Sequence, residues 1–362
     1  MFLAFGEIMA RIAPQSNLRW RQSLPGSVNI TWGGGEANVC ASLAILGQQA
    51  RFLTALPRTP ITESLVGTLR GLGVDTNSIL WRKEGRLGLY FVEAGANQRG
   101  STVLYDRANS AISLAVPNEY DFAAALQGVK WLHLSGITPA ISEQACQTNL
   151  ALVREAKKAG VTVSCDLNFR KKLWTWRPGT SAKALAGECM AQVLPHVDLV
   201  IANEEDAADV LNIHAEGTDV TAGKINPTSY TRVAEQIVSR FPNVSRVAIT
   251  LRQSISADHN DWGAMLYEAQ SRSAHFAPLS PGGDYQPYEI RDIVDRVGAG
   301  DSFGAGLLFA LASADYSAPD RAIQFAVAAS CLKHSILGDF NYVDLSEVVG
   351  LMQGNATGRV QR

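Results

Sequence analysis

The sequence predicts an α/β fold in which helices cover both faces of a mostly parallel central sheet. Short apolar segments typical of strands alternate with longer segments of helical periodicity along most of the chain. Glycines such as Gly47 and Gly160 follow several of the helical segments, and glycine commonly ends a helix. A chain of 362 residues that is 46% hydrophobic can bury a large core. Its length fits two or three average domains or one large α/β domain with an appendage, and we expect a single domain over residues 1–362.

The first third of the chain follows this alternation and then departs from it. A strand over "MFLAFGEIM" precedes the helix "GGGEANVCASLAILG", the strand "ARFLTAL" and the helix "ITESLVGTLRGLG". Two further segments, "LGLYFVEAG" and "STVLYDR", flank the polar turn "ANQRG", a pattern typical of an antiparallel pair. We therefore expect residues 80–108 to form a small β appendage that is not part of the parallel core.

The rest of the chain resumes the alternation of strands and helices. Strands are predicted at "VKWLHLSG", "VTVSCDLN", "DLVIAN", "RVAITLR", "GAMLYEAQ" and "EIRDIVD". Helices are predicted at "SEQACQTNLALVREAKKAG", "KALAGECMAQVLPHV", "EEDAADVLNI", "YTRVAEQIVSRF" and "SFGAGLLFALAS". The polar stretches 214–230 and 252–263 are predicted as loops. In a sheet of this kind, ligands bind beyond the carboxyl ends of the strands.

Charge and cysteine content narrow the class of protein. Lysine and arginine number 32 and aspartate and glutamate 34, so no basic excess indicates a nucleic-acid partner or an anionic membrane. No apolar segment is long enough to cross a bilayer, and the first residues lack the features of a signal peptide. The five cysteines are scattered, which favours reduced thiols over disulfides or zinc ligands. We expect a cytoplasmic protein.

A glycine-rich turn carries a single carboxylate just before a helix. In "DRVGAGDSFGAG", Asp301 directly follows the turn 298–300. The N–H groups of such a turn and the partial positive charge of a helix N-terminus form an anion site, and a nearby carboxylate can accept a proton from an attacking hydroxyl. Taken alone, the pattern also fits a carboxylate that only caps a helix. The spacing matches neither the P-loop nor the dinucleotide motif.

Two motifs at opposite ends of the chain resemble the signatures of the ribokinase (PfkB-type) family of sugar kinases. The segment Asp-x-x-Gly-Ala-Gly-Asp before a Phe-Gly-Ala helix resembles the second signature, and "GGGEANVCASLAILG" over residues 33–47 resembles the first. The resemblance covers nearly the whole chain. It implies a ribokinase-like three-layer sandwich with a small β lid inserted in it, of which residues 80–108 would form the main part. It also implies an enzyme that transfers a phosphoryl group from ATP, with Mg²⁺, to an alcohol.

The resemblance implies roles for the residues that match the two motifs. Asp301 corresponds to the catalytic base. The anion hole for the transferring phosphoryl group corresponds to Gly298, Ala299 and Gly300. The sugar-binding turn corresponds to Gly33, Gly34, Gly35 and Asn38.

Further positions resemble the nucleotide and cation sites of the family. Asn203 and Asp206 in "NEED" resemble an Asn-x-x-Glu element that organises magnesium and phosphate, although aspartate replaces glutamate here. Thr250 and Arg252 correspond to contacts with the nucleotide phosphates. Mg²⁺ is expected to bind mainly through ATP, and the resemblance implies a monovalent cation such as K⁺ near Asp295.

Four side chains resemble the 2-keto-3-deoxygluconate kinase branch of the family, in which they hold an acidic sugar. They are Tyr90, Tyr105, Arg107 and Arg170. The physical argument agrees, because a guanidinium binds a carboxylate bidentately and a neutral sugar offers no such partner. Each residue alone also fits a structural role: Arg107 beside a neighbouring acid, Arg170 in a solvated charged run, and the tyrosines as strand aromatics.

The resulting hypothesis is a kinase that phosphorylates the primary hydroxyl of 2-keto-3-deoxygluconate to give 2-keto-3-deoxy-6-phosphogluconate. Two alternatives remain open at this stage: a PfkB-type kinase for a neutral sugar such as fructose or ribose, and a non-catalytic sugar-binding regulator. The sequence does not separate the gluconate-derived from the galactonate-derived acid. The resemblance further implies a homodimer or higher homo-oligomer through the lid.

Overall fold

The computed structural model describes residues 1–203, 205–215 and 226–354. Within these ranges the strands, in chain order, are β1 (Phe2–Phe5), β2 (Met9–Ala13), β3 (Asn29–Gly33), β4 (Ala50–Leu53), β5 (Ala55–Pro57), β6 (Leu80–Arg82), β7 (Gly88–Glu93), β8 (Thr102–Asp106), β9 (Trp131–Ser135), β10 (Thr162–Asp166), β11 (Leu199–Ala202), β12 (Arg246–Ser256), β13 (His259–Glu268), β14 (Ser273–Ala277) and β15 (Tyr288–Ile290).

The helices of the same ranges are α1 (Trp20–Ser23), α2 (Gly35–Ile45), α3 (Pro60–Gly71), α4 (Ala111–Leu114), α5 (Phe122–Leu126), α6 (Ile137–Ala140), α7 (Glu143–Lys158), α8 (Ala182–Val193), α9 (Asp206–Leu211), α10 (Pro227–Arg240), α11 (Ala299–Ala312), α12 (Pro319–Lys333) and α13 (Leu345–Met352). None of these helices combines the length and the apolar character that crossing a membrane requires. Side chains cap the N-termini of several helices. For example, the Ser142 hydroxyl accepts a hydrogen bond from the Ala145 N–H at the beginning of α7.

The central sheet has the strand order β14-β13-β12-β11-β10-β9-β1-β4, and β15 pairs with β13. Six neighbouring strands of this sheet are mutually parallel: β12, β11, β10, β9, β1 and β4. The strands β13, β14 and β15 pair in antiparallel fashion. The predicted α/β class with a mostly parallel sheet is confirmed.

Two apolar cores lie on opposite faces of the sheet, which makes three layers. Along β1, Leu3 and Phe5 belong to the core under α7, α8 and α10, whereas Phe2 and Ala4 belong to the core under α2, α11 and α12. This alternation follows from the pleat, because successive side chains of a strand point to opposite faces. Both faces are apolar, so the strands read as nearly continuous hydrophobic segments in the sequence.

A second sheet, with the order β3-β2-β7-β8, forms a lid over the carboxyl edge of the central sheet. Its inner side chains include Met9, Tyr90 and Val92, which pack together in a small cluster. The stretch 80–108 thus supplies β7 and β8. The other lid strands, β2 and β3, come from a segment that the sequence did not single out, and β6 pairs with β5 in a separate small sheet.

Two local predictions were wrong, and a third, the strand "EIRDIVD", is confirmed only at its start, since β15 ends at Ile290. The opening segment "MFLAFGEIM" is two strands in different sheets, because the chain turns at Gly6, where a Cβ atom would lie 2.1 Å from the Glu36 carboxylate. The stretch 252–263 is largely the β12–β13 hairpin rather than a loop. Its polar composition reflects strand ends that extend past the apolar core, toward the cavity described next.

Candidate active site

A cavity of about 330 Å³ lies between the lid and the carboxyl edge of the central sheet, a size usual for a small-molecule site. It lies where ligands bind in open α/β sheets. Its walls bring together almost all of the sequence-predicted site residues: Gly34, Gly35, Asn38, Tyr90, Tyr105, Arg107, Arg170, Asn203, Asp206, Thr250, Arg252, Gly298, Ala299, Gly300 and Asp301. Gly33 and Asp295 lie just behind these walls rather than on them.

The turn before α11 presents backbone N–H groups to the cavity. The first intrahelical bond of α11 runs from the Ser302 N–H to the Gly298 carbonyl, so the N–H groups of residues 299–301 precede it and point out of the helix end. Gly298 has a φ of 85°, and a Cβ atom there would lie 2.2 Å from the Asp339 carbonyl oxygen. Only glycine therefore permits this turn, and a turn of this kind at a helix N-terminus can bind an anion.

Asp301 lies in the first turn of α11, half-buried in the wall of the cavity. Its carboxylate Oδ2 accepts a 2.6 Å hydrogen bond from the Asn38 amide. Burial raises the pKa of Asp301 to about 7, although the hydrogen bond from Asn38 opposes the shift. A carboxyl group with a pKa near neutrality can exchange a proton efficiently with a hydroxyl.

The glycine turn before α2 lies opposite and is joined to Asp301 through Asn38. The side-chain Oδ1 of Asn38 accepts a hydrogen bond from the Gly34 N–H at 3.2 Å, while its Nδ2 donates to the Asp301 carboxylate. The turn approaches its neighbours closely, since a Cβ atom at Gly34 would lie 2.0 Å from the Glu7 carbonyl oxygen. A Cβ atom at Gly33 would likewise lie 2.2 Å from the Asp339 carboxylate. Asn38 thus fixes the two turns relative to each other.

The two predicted carboxylate-binding arginines have different surroundings. The Arg107 Nε donates a 2.5 Å hydrogen bond to the Glu7 carboxylate, and both side chains are at most 5% exposed. Arg170 donates to the Phe169 carbonyl and makes no ion pair with any carboxylate of the described residues. Arg107 is therefore already paired, whereas Arg170 has no contact ion pair, although its charge lowers the pKa values of the nearby carboxyl groups of Asp166, Asp206 and Asp301.

Two buried acceptors in the wall have no protein donor among the described residues. They are the Glu7 Oε1 and the Asn168 Oδ1. Asn168 also has a φ of 36°, an uncommon left-handed conformation for a non-glycine residue. Because unsatisfied buried acceptors are costly, they indicate a ligand that donates hydrogen bonds, as a polyol does.

Asn203 and Asp206 hold each other and the loop after β11. The side-chain Oδ1 of Asn203 accepts a hydrogen bond from the Asp206 N–H at 2.9 Å. The Asp206 carboxylate accepts hydrogen bonds from the N–H groups of Asn203 and Phe169, both at 2.9 Å. Both oxygens of Asp206 thus have backbone donors. This arrangement supports a role for Asp206 in shaping the loop.

Thr250, Arg252 and Arg296 lie on the same cavity wall. Arg296 donates to the Ser256 carbonyl at 2.9 Å and to the Asn260 side chain at 3.0 Å. Burial lowers the pKa of Arg296, and the neighbouring charge of Arg252 lowers it further. Two guanidiniums that repel each other at a cavity wall form a favourable site for a polyanion such as a phosphate chain.

Sequence reasoning did not assign several residues of the site. Arg296 stands inside the second signature and offered a visible signal. Glu7, Asp166 and Asn168 follow β1 and β10 at the carboxyl edge of the sheet, which is a weaker positional signal. Asp339 gave no local signal, because its contacts with Arg11 and Tyr90 join residues that are far apart in the sequence.

The site offers little to hold a metal ion by itself. The ranges that the structure describes contain no group of three or more histidine, cysteine, aspartate or glutamate side chains arranged to bind one. Asp166 and Asp206 are near each other, but hydrogen bonds from backbone N–H groups reach both. A divalent ion would therefore depend on ligands from a bound phosphate.

Comparisons with known proteins agree with this geometry. Residues 1–240 match the family model described as pfkB family carbohydrate kinase. The chain is 41% identical to a 2-dehydro-3-deoxygluconokinase of known structure from Thermotoga maritima, with a TM-score of 0.87 over 98% of this chain and 99% of the other. It is 28% identical to a 2-dehydro-3-deoxygalactonokinase of Haloferax volcanii, covering 98% of each chain. It is 24% identical to a probable fructokinase of Arabidopsis thaliana, covering 85% of this chain and 81% of that protein.

Proposed function

Because the chain belongs to the pfkB family of carbohydrate kinases, we propose that it transfers the γ-phosphoryl group of ATP to the primary hydroxyl of 2-keto-3-deoxygluconate. The product is 2-keto-3-deoxy-6-phosphogluconate. The observation that carries the substrate class is Arg170, a guanidinium that faces the cavity and makes no ion pair among the described residues. A carboxylate on the sugar can form a direct, bidentate ion pair with this guanidinium, whereas a neutral sugar offers no such partner.

Asp301 accepts the proton of the attacking hydroxyl. Its carboxylate lies beside the N-terminus of α11, so a hydroxyl that contacts it also faces the N–H groups of residues 299–301. As the oxygen–phosphorus bond forms, the proton moves to the Asp301 carboxylate and ADP leaves. Asn38 keeps that carboxylate in place through its 2.6 Å hydrogen bond.

Charge that develops on the phosphoryl oxygens is stabilised by groups already in position. The N–H groups at the start of α11 need no rearrangement to bind the phosphoryl group. Arg252 and Arg296 contact the remaining phosphates of the nucleotide, and the Thr250 hydroxyl donates a hydrogen bond to the same phosphates. Mg²⁺ bound with ATP would supply further positive charge, and Asn203 and the loop held by Asp206 would orient it.

The lid and the Glu7–Arg107 ion pair complete the sugar site. Met9, Tyr90, Val92 and Tyr105 place apolar surface over the cavity, which limits the access of water to the phosphoryl group. Glu7 lies between the central sheet and the lid, and its pair with Arg107 at the end of β8 ties the two together. The Glu7 Oε1 and the Asn168 Oδ1 accept hydrogen bonds from the hydroxyl groups of the sugar.

The test is a coupled ADP-release assay with ATP and Mg²⁺ on a panel of acceptors. The panel contains 2-keto-3-deoxygluconate, 2-keto-3-deoxygalactonate, gluconate, fructose and ribose. We expect turnover with the keto-deoxy acids, with kcat/KM highest for the gluconate-derived one. Turnover confined to fructose or ribose would retain the kinase and overturn the assignment of the acid. Binding of sugar without any turnover would indicate a regulator instead.

We also propose that the protein forms a homodimer through the lid. Ile30 on β3 and Leu104 on β8 are 60% and 66% exposed on the lid sheet, and burying such residues against a second copy is favourable. Light scattering on the purified protein tests this directly. A monomer at all concentrations would contradict the dimer and leave the kinase assignment intact.

A cytoplasmic location is proposed on the state of the cysteines. All five are free, and three of them are buried in the apolar cores. Unpaired thiols persist in reducing compartments. Fractionation of cells that express the chain at native level tests the location, and recovery outside the cytoplasm would contradict it.

A further inference from the structure

A cluster of four buried charges lies directly behind the anion hole. Arg11 bridges two carboxylates, with its Nη1 2.7 Å from Asp295 and 3.0 Å from Asp339. Lys333, at the end of α12, is fully buried, and its Nζ donates a 2.9 Å hydrogen bond to the Ile336 carbonyl. The two cations balance the two carboxylates.

This cluster supports the turn that carries the phosphoryl-binding N–H groups. The Lys333 side chain runs beneath Gly298, where a Cβ atom would lie 3.3 Å from Lys333 Cε. Asp295 accepts the Val297 N–H at 3.0 Å, one residue before that glycine. The carboxylates of Asp295 and Asp339 act on Lys333 as well, since they raise its pKa against the lowering caused by burial.

The family resemblance implies a monovalent cation near Asp295, and the residues present do not fit one. A K⁺ ion needs several oxygen atoms that can replace its hydration shell. The Asp295 Oδ2 already accepts from Arg11 and from the Gly338 N–H at 3.0 Å, and its Oδ1 accepts from Val297. Both oxygens of Asp339 are also occupied, by Arg11 and by the Tyr90 hydroxyl.

Two of the neighbouring carbonyl oxygens also accept hydrogen bonds. The Ile336 carbonyl accepts from Lys333, and the His334 carbonyl accepts the N–H groups of Val294 and Asp295. Lysine and arginine carry no lone pair that could bind a cation. A metal ion at this place would therefore compete with these hydrogen bonds and would meet two positive charges in a buried environment.

We propose that Lys333 and Arg11 are built-in cations that take the place of a monovalent metal ion behind the anion hole, so that this kinase works without K⁺. Lys333 is a positioning residue. It touches neither sugar nor nucleotide, and it holds Gly298 and contributes fixed positive charge beneath the turn. The inference rests on the proposed kinase function for its kinetic readout only, because thermal unfolding reports cation binding independently.

The first experiment uses the unmodified protein. Turnover and Tm are measured in buffers of equal ionic strength that contain K⁺, Na⁺ or tetramethylammonium, an ion too large for a protein cation site. We expect turnover to agree within about twofold and Tm to be the same in the three buffers, because no cation binds the folded state specifically. A K⁺-specific rise in turnover or in Tm would overturn the proposal. If no sugar is phosphorylated in any buffer, the kinase assignment fails and the Tm values alone decide.

The second experiment removes the built-in charge. Lys333→Met keeps the length of the side chain and uncovers the Ile336 carbonyl, so we expect turnover in tetramethylammonium to fall about tenfold or more and K⁺ to restore part of it. Lys158→Met is the matched control, because Lys158 is 72% exposed and pairs only with Glu155. Equal turnover and Tm for Lys333→Met and the unmodified protein in every buffer would contradict the role of Lys333. If Lys333→Met does not fold, the experiment on the unmodified protein still decides.

Discussion

The two glycine turns that face the cavity both lead into a helix, but their electrostatic surroundings differ. The helices are α2 and α11, and each turn directs N–H groups to the ligand. Around the turn before α2 lie the acceptors of Glu7, Glu36 and Asp339. Behind the turn before α11, Lys333 and Arg11 are balanced by Asp295 and Asp339, and Arg252 and Arg296 add positive charge on the adjoining wall.

This difference explains how one local motif serves two ligands. A helix N-terminus alone favours any anion or hydrogen-bond acceptor. Buried carboxylates beside it repel anions and accept hydrogen bonds, which suits the hydroxyls of a sugar. Fixed cations beside it strengthen the attraction for phosphate. The side chains around a glycine turn therefore decide which ligand it takes, and Asp301 lies where the two regions meet.

The largest expected effect comes from removing that central carboxylate. Asp301→Asn keeps the size of the side chain and a hydrogen-bond acceptor for Asn38, but it cannot take the hydroxyl proton. We expect kcat to fall about a thousandfold while both substrates still bind. Steady-state kinetics and calorimetric binding of ATP measure the two parts.

The matched control for this variant is Asp320→Asn. Asp320 is also in the first turn of a helix, α12, but it is exposed and away from the cavity. We expect its kcat to remain unchanged. If Asp301→Asn were as active as Asp320→Asn, Asp301 would be only a helix-capping residue.

The next effect separates the sugar acid from a neutral sugar. Arg170→Leu removes the unpaired guanidinium, so kcat/KM for 2-keto-3-deoxygluconate should fall about a hundredfold, as for the loss of one partner of a buried charge pair. Lys171→Leu, at the exposed neighbouring position, is the control. An equal and small loss in both variants would show that no carboxylate contacts Arg170.

On the phosphate side, Arg296→Gln should raise KM for ATP about tenfold, which corresponds to the loss of one charge-assisted contact. The KM for the sugar should change little, since the two regions bind different ligands. Arg291→Gln is the control, because Arg291 is 68% exposed and pairs with Glu289 at the surface. A rise in the sugar KM alone would reverse the assignment of the two regions.

The pH dependence of the reaction follows from the same carboxylate. Asp301 must be ionised to accept a proton, and its pKa is about 7. We therefore expect kcat/KM to rise with pH up to about 7 and to fall about tenfold per pH unit below it. Initial rates measured over this pH range give the slope of kcat/KM below pH 7. A rate that is flat down to pH values near the usual aspartate pKa of 3.8 would contradict a buried base.

The smallest effect concerns stability. Since the pKa of Asp301 is about 7 in the folded protein against a usual 3.8, the folded state binds the proton more tightly, and this group lowers the free energy of unfolding as pH rises from about 4 to 7. Asp301→Asn should therefore stabilise the protein at neutral pH by about 1 to 3 kcal/mol, since one pKa unit equals about 1.4 kcal/mol and solvent screens part of it.

Denaturant unfolding of both proteins across this pH range measures the difference. We expect the gap in the free energy of unfolding to open between about pH 4 and 7 and to stay constant above. A gap that does not depend on pH would mean that Asp301 has an ordinary pKa.

Part of the site was predictable because its signals are local. The glycine turns, Asp301 and the alternation of strands and helices lie in short, recognisable segments. The other part depends on pairs that are distant along the chain. Arg11 and Asp339 are 328 residues apart and Arg107 and Glu7 are 100 apart, so no periodicity or motif connects them.

The missed lid strands have a similar explanation. β2 continues the apolar segment of β1, and only the close approach of Gly6 to Glu36 breaks the strand there. The choice of sheet for each strand is a tertiary property that local pattern does not carry. The same holds for the charges behind the anion hole: Lys333 ends α12 as an ordinary basic residue in the sequence, and only the fold buries it.

The central claim is that phosphate moves from the nucleotide side of the cavity to a primary hydroxyl on the sugar side. Phosphorus NMR of the product from ATP, Mg²⁺ and 2-keto-3-deoxygluconate tests it most directly. We expect a new phosphomonoester signal coupled to the protons of a CH₂ group, with ADP formed in equal amount. Inorganic phosphate as the only product, or a monoester coupled to a CH proton, would contradict the account.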